Sequence, residues 1–98
     1  MTLDDVRRLI EPEKDALRAK GVAALYVFGS VARGEAGAGS DVDVLIDIEP
    51  GRRFHIIDLA NVYNRLTAAL GTEVDIVTSR SIKNALQGRV LEGAVRVY

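Results

Sequence analysis

The feature that most restricts the fold is a continuous apolar run, Val22–Phe28, which ends abruptly at Gly29-Ser30. Apolar runs of this length are typical of a central strand that is buried on both faces. A second strand is predicted over residues 41–48, where every even position is valine or isoleucine and three of the odd positions are aspartate. Because successive side chains of a strand leave opposite faces, this pattern predicts one apolar face and one acidic face.

Helical spacing fills the segments on either side of these two strands. The first segment begins at Thr2, which forms a capping-box pattern with Asp5. Pro12 either kinks this helix or opens a second one, and Gly21 is placed to end it. Apolar residues at intervals of three and four predict a longer helix over residues 54–70, followed by Gly71. The stripe on this longer helix predicts a core face, with one edge available to a partner helix.

The end of the chain predicts two further strands and a helix. Residues 72–78 have the composition of a third strand. Ser79 or Ser81 would cap a last helix that extends to about residue 92, and residues 94–98 would add a short edge strand. The alternation of elements predicts an α/β fold, in which helices pack on a small mixed β-sheet within a single domain over residues 1–98.

Composition excludes several classes of protein. The 98 residues include no cysteine, which excludes disulfides, thiolate metal sites and a cysteine nucleophile. The net charge of −1 argues against a protein dedicated to binding duplex nucleic acid. Neither an apolar stretch long enough to span a membrane nor a secretory leader is visible in the sequence. We therefore expect a cytoplasmic protein without membrane association.

Three aspartates lie at positions where strands disfavour them. Asp41 and Asp43 are two residues apart, so their side chains leave the same face with Cα atoms about 6.5–7 Å apart. Asp75 lies in the middle of the third strand and joins them if that strand pairs beside the second. Carboxylates without histidine or cysteine favour a hard cation, Mg²⁺ or Mn²⁺.

A phosphate site is predicted at the end of the first strand. Gly29 allows close approach of the backbone to a phosphate, and Ser30 supplies a hydroxyl. A short helix beginning at Ser30 would direct free N–H groups at that phosphate, and Arg33 could add its guanidinium.

Together these motifs resemble the nucleotidyltransferase superfamily that includes DNA polymerase beta. The resemblance rests on Gly29-Ser30, ten intervening residues and Asp41-Val42-Asp43, with Val74-Asp75-Ile76-Val77 at the place of the third carboxylate. The surrounding residues are similar to the minimal branch of the superfamily, the MNT-domain proteins, and the likeness covers nearly the whole chain. It implies a polymerase beta-like nucleotidyltransferase core.

The resemblance also implies roles for individual residues. Asp41 and Asp43 would hold two Mg²⁺ ions, while Asp75 would complete the catalytic ion and orient or deprotonate the attacking hydroxyl. Gly29 and Ser30 would hold the β- and γ-phosphates of ATP or another nucleoside triphosphate. The two residues expected to steady the phosphates are Arg33 and Ser40.

The resemblance further implies a partner protein. Minimal proteins of this type commonly pair with a HEPN-domain RNase toxin, and some transfer AMP to a tyrosine of that toxin as its antitoxin. The larger relatives use additional domains to hold the acceptor, so support from a partner or a second copy is expected here. Two other functions stay open: an antitoxin that acts by binding alone, and the subunit of a small-molecule nucleotidyltransferase.

Each motif also has a structural interpretation without catalysis. Asp41 and Asp43 could lie on a solvent-exposed edge strand, and Asp75 could be an ordinary polar residue of a half-buried strand. Ser30 could serve as an N-cap, and Arg33 could form a surface ion pair with Glu35. His55 and the Arg52-Arg53 pair are interpreted as surface residues.

Overall fold

The computed structural model describes residues 1–35, 41–81 and 93–98. Four α-helices are present in these residues: α1 (Leu3–Ile10), α2 (Lys14–Ala19), α3 (Gly29–Ala32) and α4 (Ile56–Leu70). Four strands are present as well: β1 (Val22–Phe28), β2 (Val42–Ile48), β3 (Val74–Thr78) and β4 (Val95–Arg96). The last predicted helix, over residues 79 to 92, lies mostly outside the described residues.

The sheet is mixed, with the strand order β3-β2-β1-β4. β1 pairs antiparallel with β2 and β4, whereas β2 pairs parallel with β3. β1 and β2 are therefore the two central strands, which confirms the central position predicted for β1. Burial on both faces is confirmed only in part, because Ala23 is exposed and Tyr26 and Phe28 are half-buried. The predicted α/β class with helices on a small mixed sheet is also confirmed.

Local signals explain where the helices begin and end. The hydroxyl of Thr2 accepts a hydrogen bond from Asp5 N (3.1 Å), and Asp5 Oδ2 accepts one from Thr2 N (2.9 Å), so the predicted capping box is present. Pro12 lies in a 3₁₀ turn, Glu11–Glu13, that separates α1 from α2. Gly71 ends α4 in the left-handed conformation, with φ of 68°.

Several predicted boundaries were wrong by a few residues. α4 begins at Ile56 rather than residue 54, because His55 occupies the N-cap position and its N–H donates to Asp58 Oδ2 (2.7 Å). β3 begins at Val74 rather than residue 72, since Gly71 and the following turn still belong to the end of α4. β2 begins at Val42, which leaves Asp41 just before the strand.

Helices cover the face of the sheet that carries the valines and isoleucines of β2. These side chains are almost fully buried and pack with apolar residues of α1 and α4. The members of this core with no more than 1% exposure on α1 and α4 are Val6, Ile10, Val62 and Leu66. The opposite face carries Asp43 and Asp75, as the alternation in the sequence predicts. Within the described ranges, none of the helices is long and apolar enough to cross a membrane.

Candidate active site

The site lies at one end of the sheet, where three strand termini meet. The antiparallel pairing of β1 with β2 places Phe28 opposite Asp43, so the turn after β1 lies beside the beginning of β2. The parallel pairing of β2 with β3 places Asp43 opposite Asp75. Directly opposed residues of neighbouring strands point to the same face, so these two carboxylates leave the sheet side by side.

Gly29 makes room for the Asp43 carboxylate. Its φ is +69°, a conformation that residues with a Cβ rarely adopt. A Cβ atom built at this position would collide with Asp43 Oδ2. The glycine is therefore required twice, once for the backbone conformation of the turn and once for the space that the carboxylate occupies.

The three aspartates form an electrostatically unfavourable group in the free protein. Partial burial raises the pKa of Asp43, and the charges of Asp75 and Asp41 raise it further, while the charge of Arg33 acts in the opposite direction. A raised carboxylate pKa means that the ionised form lacks compensating partners. A bound cation would supply that compensation.

The carboxylates fit a hard divalent cation by their chemistry, although they are not gathered into a finished cage. Asp43 is half-buried, whereas Asp41 and Asp75 are exposed. Among the residues that the structure describes, no three side chains of histidine, aspartate or glutamate are close enough together to hold a metal ion. Oxygen-only donors with open positions are typical of Mg²⁺ bound partly by a substrate phosphate.

The predicted phosphate-binding residues lie next to these carboxylates. α3 begins at Gly29, one residue earlier than predicted, and no side chain caps it, so Ser30 is not an N-cap. Arg33 Nε donates to Glu35 Oε2 (3.0 Å) in an exposed ion pair, as the structural interpretation predicts. Exposed pairs of this kind contribute about 0–1 kcal/mol, so a phosphate could compete for the guanidinium. Ser40 lies outside the described residues.

Tyr63 and Glu73 lie close to the site, and the sequence did not indicate this pair. Tyr63 belongs to α4 and donates its hydroxyl to Glu73 Oε2 (2.6 Å), just before β3. This hydrogen bond raises the pKa of Tyr63, and the charge of Asp41 adds to the effect. Because Tyr63 continues the apolar stripe of α4, the sequence predicts that it is a core residue. In the structure it is only half-buried.

A family comparison identifies the arrangement. Residues 11–97 match the model of the nucleotidyltransferase domain. The chain belongs to the nucleotidyltransferase domain family. This membership confirms the resemblance that the Gly-Ser and Asp-Val-Asp motifs carry, and it defines the chain as a nucleotidyltransferase.

Individual members of the family are similar over almost their full lengths. A relative from Thermococcus cleftensis, named protein adenylyltransferase MntA, is 36% identical over 98 residues, which cover 99% of this chain and 97% of that protein. A solved minimal nucleotidyltransferase structure superposes with a TM-score of 0.80 at 38% identity, covering 97% of this chain and 95% of the other.

More distant structures share the fold. A chain from a toxin–antitoxin complex with AMP-PNP has a TM-score of 0.70 at 23% identity, covering 90% of this chain and 72% of the other. A chain from the complex of the tri-AMPylated Shewanella oneidensis HEPN toxin with MNT antitoxin has a TM-score of 0.64 at 22% identity, covering 94% and 71%. At these identities the likeness extends to the fold alone.

Proposed function

We propose that this nucleotidyltransferase transfers AMP from ATP to a tyrosine hydroxyl of a HEPN RNase toxin and thereby acts as its antitoxin. The observation that carries the proposal is the register of β2 and β3, which sets Asp43 beside Asp75 and next to the Gly29 turn. The relative named protein adenylyltransferase supports AMP as the transferred group. The MNT–HEPN complex supports the class of partner.

The proposed reaction exchanges one bond to phosphorus for another. The tyrosine oxygen attacks the α-phosphorus of ATP, and a new O–P bond forms. The bond between the α-phosphorus and the oxygen that bridges to the β-phosphate breaks, and pyrophosphate leaves. The phenolic proton passes to Asp75 or to water.

Each residue of the site has a role in this proposal. The turn at Gly29 and Ser30 would hold the β- and γ-phosphates, with Arg33 and Ser40 beside them. Asp41 and Asp43 would hold two Mg²⁺ ions, and Asp75 would share the catalytic one. When bound, these ions would stabilise the charge that develops on the phosphates during transfer.

The test is adenylyl transfer with a matched pair of variants. Wild-type protein, labelled ATP, Mg²⁺ and the HEPN toxin are incubated, and label on the toxin is measured by gel and mass spectrometry. Asp43→Asn should reduce the rate by roughly 100-fold or more, because it removes a proposed ligand of the Mg²⁺ ions that would stabilise the charge on the phosphates. Asp47→Asn should transfer at the wild-type rate, because Asp47 lies on the same strand but opposite Ala24, away from the site.

Two outcomes would contradict the proposal. Absence of label on the toxin at every Mg²⁺ and Mn²⁺ concentration would exclude toxin adenylylation, and label in a small molecule would instead indicate a small-molecule nucleotidyltransferase. If Asp43→Asn still protected cells from the toxin as well as the wild type does, neutralisation by binding alone would replace the catalytic mechanism.

A further inference from the structure

The hydrogen bond between Tyr63 and Glu73 links α4 to the beginning of β3. Tyr63 lies in the middle of α4, and its hydroxyl donates to Glu73 Oε2 (2.6 Å). Glu73 lies between Gly71, which ends α4, and Val74, the first residue of β3. The tyrosine ring borders an apolar groove between α4 and β3, which Val74 and Ile76 also line. The ring therefore lies between the two elements, and its hydroxyl reaches the segment that joins them.

The backbone of Glu73 is bonded to the beginning of β2. Its carbonyl accepts a hydrogen bond from Val42 N (3.1 Å). Val42 is the first residue of β2, and it is fully buried. Glu73 therefore accepts one hydrogen bond from α4 through its side chain and another from β2 through its main chain.

All three candidate metal ligands lie close to the hydrogen bond between Val42 and Glu73. Asp41 and Asp43 are the two neighbours of Val42 in the sequence, and Asp75 is the second residue after Glu73. Asp41 is exposed and precedes the strand, so its position relative to Asp43 depends on the backbone of Val42. Groups that do not touch a metal can still orient its ligands and change its affinity.

The hydrogen bond from Tyr63 has the chemistry of a stable link. It is short, and its acceptor is a carboxylate, which makes it stronger than a bond between neutral groups. The hydrogen bond to Glu73 raises the pKa of Tyr63, and the charge of Asp41 adds to the effect. The phenol therefore stays protonated at neutral pH and keeps its donor.

We propose that Tyr63 is a positioning residue for the metal-binding carboxylates. Its hydroxyl fixes Glu73, and the carbonyl of Glu73 fixes the backbone between Asp41 and Asp43. Tyr63 acts through Glu73 and touches neither the nucleotide nor the metal ions. This inference rests on the proposed function, because it assigns a further residue to that same site.

Amide hydrogen exchange in the metal-free protein provides the first test. Tyr63→Phe removes the hydroxyl and keeps the ring. We expect the Val42 amide to exchange about fivefold faster in this variant, because the beginning of β2 opens more readily. The amide of Ile46, further along β2, should exchange at the wild-type rate. A general loss of stability would instead accelerate both amides, and NMR measures both rates in one experiment.

Tyr98→Phe is the matched control. It also removes a tyrosine hydroxyl that donates a hydrogen bond, but this bond reaches the carbonyl of Val22, at the end of β1 remote from the site (3.0 Å). The ratio of the Val42 and Ile46 exchange rates should therefore remain as in the wild type.

The Mg²⁺ dependence of toxin adenylylation provides the second test. At saturating ATP, Tyr63→Phe should raise the Mg²⁺ concentration for half-maximal transfer roughly tenfold, the low end for partners of metal ligands. The rate at saturating Mg²⁺ should return to the wild-type value, because the ligands themselves are intact. Tyr98→Phe should have the wild-type Mg²⁺ requirement. A Tyr63→Phe variant that is slower at every Mg²⁺ concentration would contradict a role in positioning the metal ligands.

Two substitutions of Glu73 separate the hydrogen bond from the charge. Glu73→Gln keeps an oxygen that can accept from Tyr63, whereas Glu73→Ala removes the acceptor. Glu73→Ala should therefore accelerate Val42 exchange as Tyr63→Phe does, and Glu73→Gln should remain close to the wild type. Equal acceleration in both Glu73 variants would show that the charge matters rather than the link, and it would overturn the inference.

The outcomes separate this inference from the proposed function. The exchange experiment uses neither toxin nor nucleotide, so it decides the role of Tyr63 even if the wild-type protein labels no toxin. If the wild type adenylylates the toxin and Tyr63→Phe has the wild-type Val42 exchange rate and Mg²⁺ requirement, the positioning role is wrong while the function stands. Faster exchange at Val42 alone, together with a higher Mg²⁺ requirement, would support it.

Discussion

Asp43 is held half-buried between two other aspartates, with Asp75 opposite it and Asp41 two residues before it. Burial and these charges raise the pKa of Asp43, so the ionised carboxylate destabilises the metal-free fold. The same repulsion favours binding of a cation. The Asp43 carboxylate therefore favours cation binding but lowers the stability of the metal-free fold, and such a conflict is common in active sites.

Asp43→Asn should stabilise the metal-free protein while it abolishes transfer. We expect an increase of about 0.5 kcal/mol in the free energy of unfolding, at the low end of such substitutions because the side chain is partly exposed. The pKa of Asp43 is higher in the folded protein than in the unfolded chain. The extra stability of the variant should therefore be complete at a pH above the folded-state pKa, and it should disappear as the pH falls from that value to the unfolded-state pKa. Chemical denaturation from pH 3 to pH 8 in EDTA measures this difference. A less stable Asp43→Asn variant would contradict the prediction.

At the scale of elements, the turn from β1 to α3 determines the geometry of the site. The strand ends at Phe28, and Gly29 reverses the backbone with a positive φ, so that α3 begins directly beside β2. Any larger residue would displace the Asp43 carboxylate. This junction therefore couples the proposed phosphate-binding turn to the proposed metal ligands.

Two glycine substitutions distinguish the effect of backbone strain from the effect of moving the Asp43 carboxylate. Gly29→Ala and Gly51→Ala both place a Cβ at a positive φ, but at Gly51 no atom lies within 4 Å of that Cβ. Both variants should lose about 1–2 kcal/mol of stability from backbone strain. Only Gly29→Ala should also lose nearly all adenylyl transfer, because it moves Asp43. Thermal melts and transfer assays measure both effects, and equal loss of activity in the two variants would argue against the displacement.

At the scale of the whole molecule, Tyr98 joins distant parts of the chain. Its hydroxyl donates to the carbonyl of Val22 at the beginning of β1 (3.0 Å), and the guanidinium of Arg18 in α2 lies 5.1 Å from the centre of its ring. Burial raises the pKa of Tyr98 to about 12. The neutral phenol therefore holds the β4 end of the sheet against β1 and α2.

Tyr98→Phe should lower the free energy of unfolding, and it should make that free energy less dependent on pH in the alkaline range. Below pH 10 we expect a loss of about 1 kcal/mol, because the Val22 carbonyl loses its donor. In the wild type, the tyrosine of the unfolded chain ionises first, so the stabilisation by Tyr98 should decline as the pH rises from its ordinary pKa of 10.0 to the folded-state pKa of about 12. The difference between the two proteins in urea denaturation at several pH values isolates this contribution. A constant difference from pH 9 to pH 12 would contradict the assignment.

The amino-acid sequence predicted the α/β class and the main helices and strands, and it named the candidate residues of the site. Alternation in residues 41–48 predicted the buried and acidic faces of β2, and the change at Gly29-Ser30 predicted the end of β1. These features depend on contacts between residues a few positions apart, for which side-chain geometry and backbone conformation are sufficient. The resemblance of these motifs to the nucleotidyltransferases predicted the family, and the family match over residues 11–97 confirms it.

Tertiary structure decided which of these residues meet. The sequence left open whether the third strand lies beside the second, and only the parallel register places Asp75 next to Asp43. It gave no sign of the Tyr63–Glu73 hydrogen bond or of the apolar groove between α4 and β3. Strand order and direction depend on how α1 and α4 bury the whole apolar face, and that free energy belongs to the packed molecule rather than to any one segment.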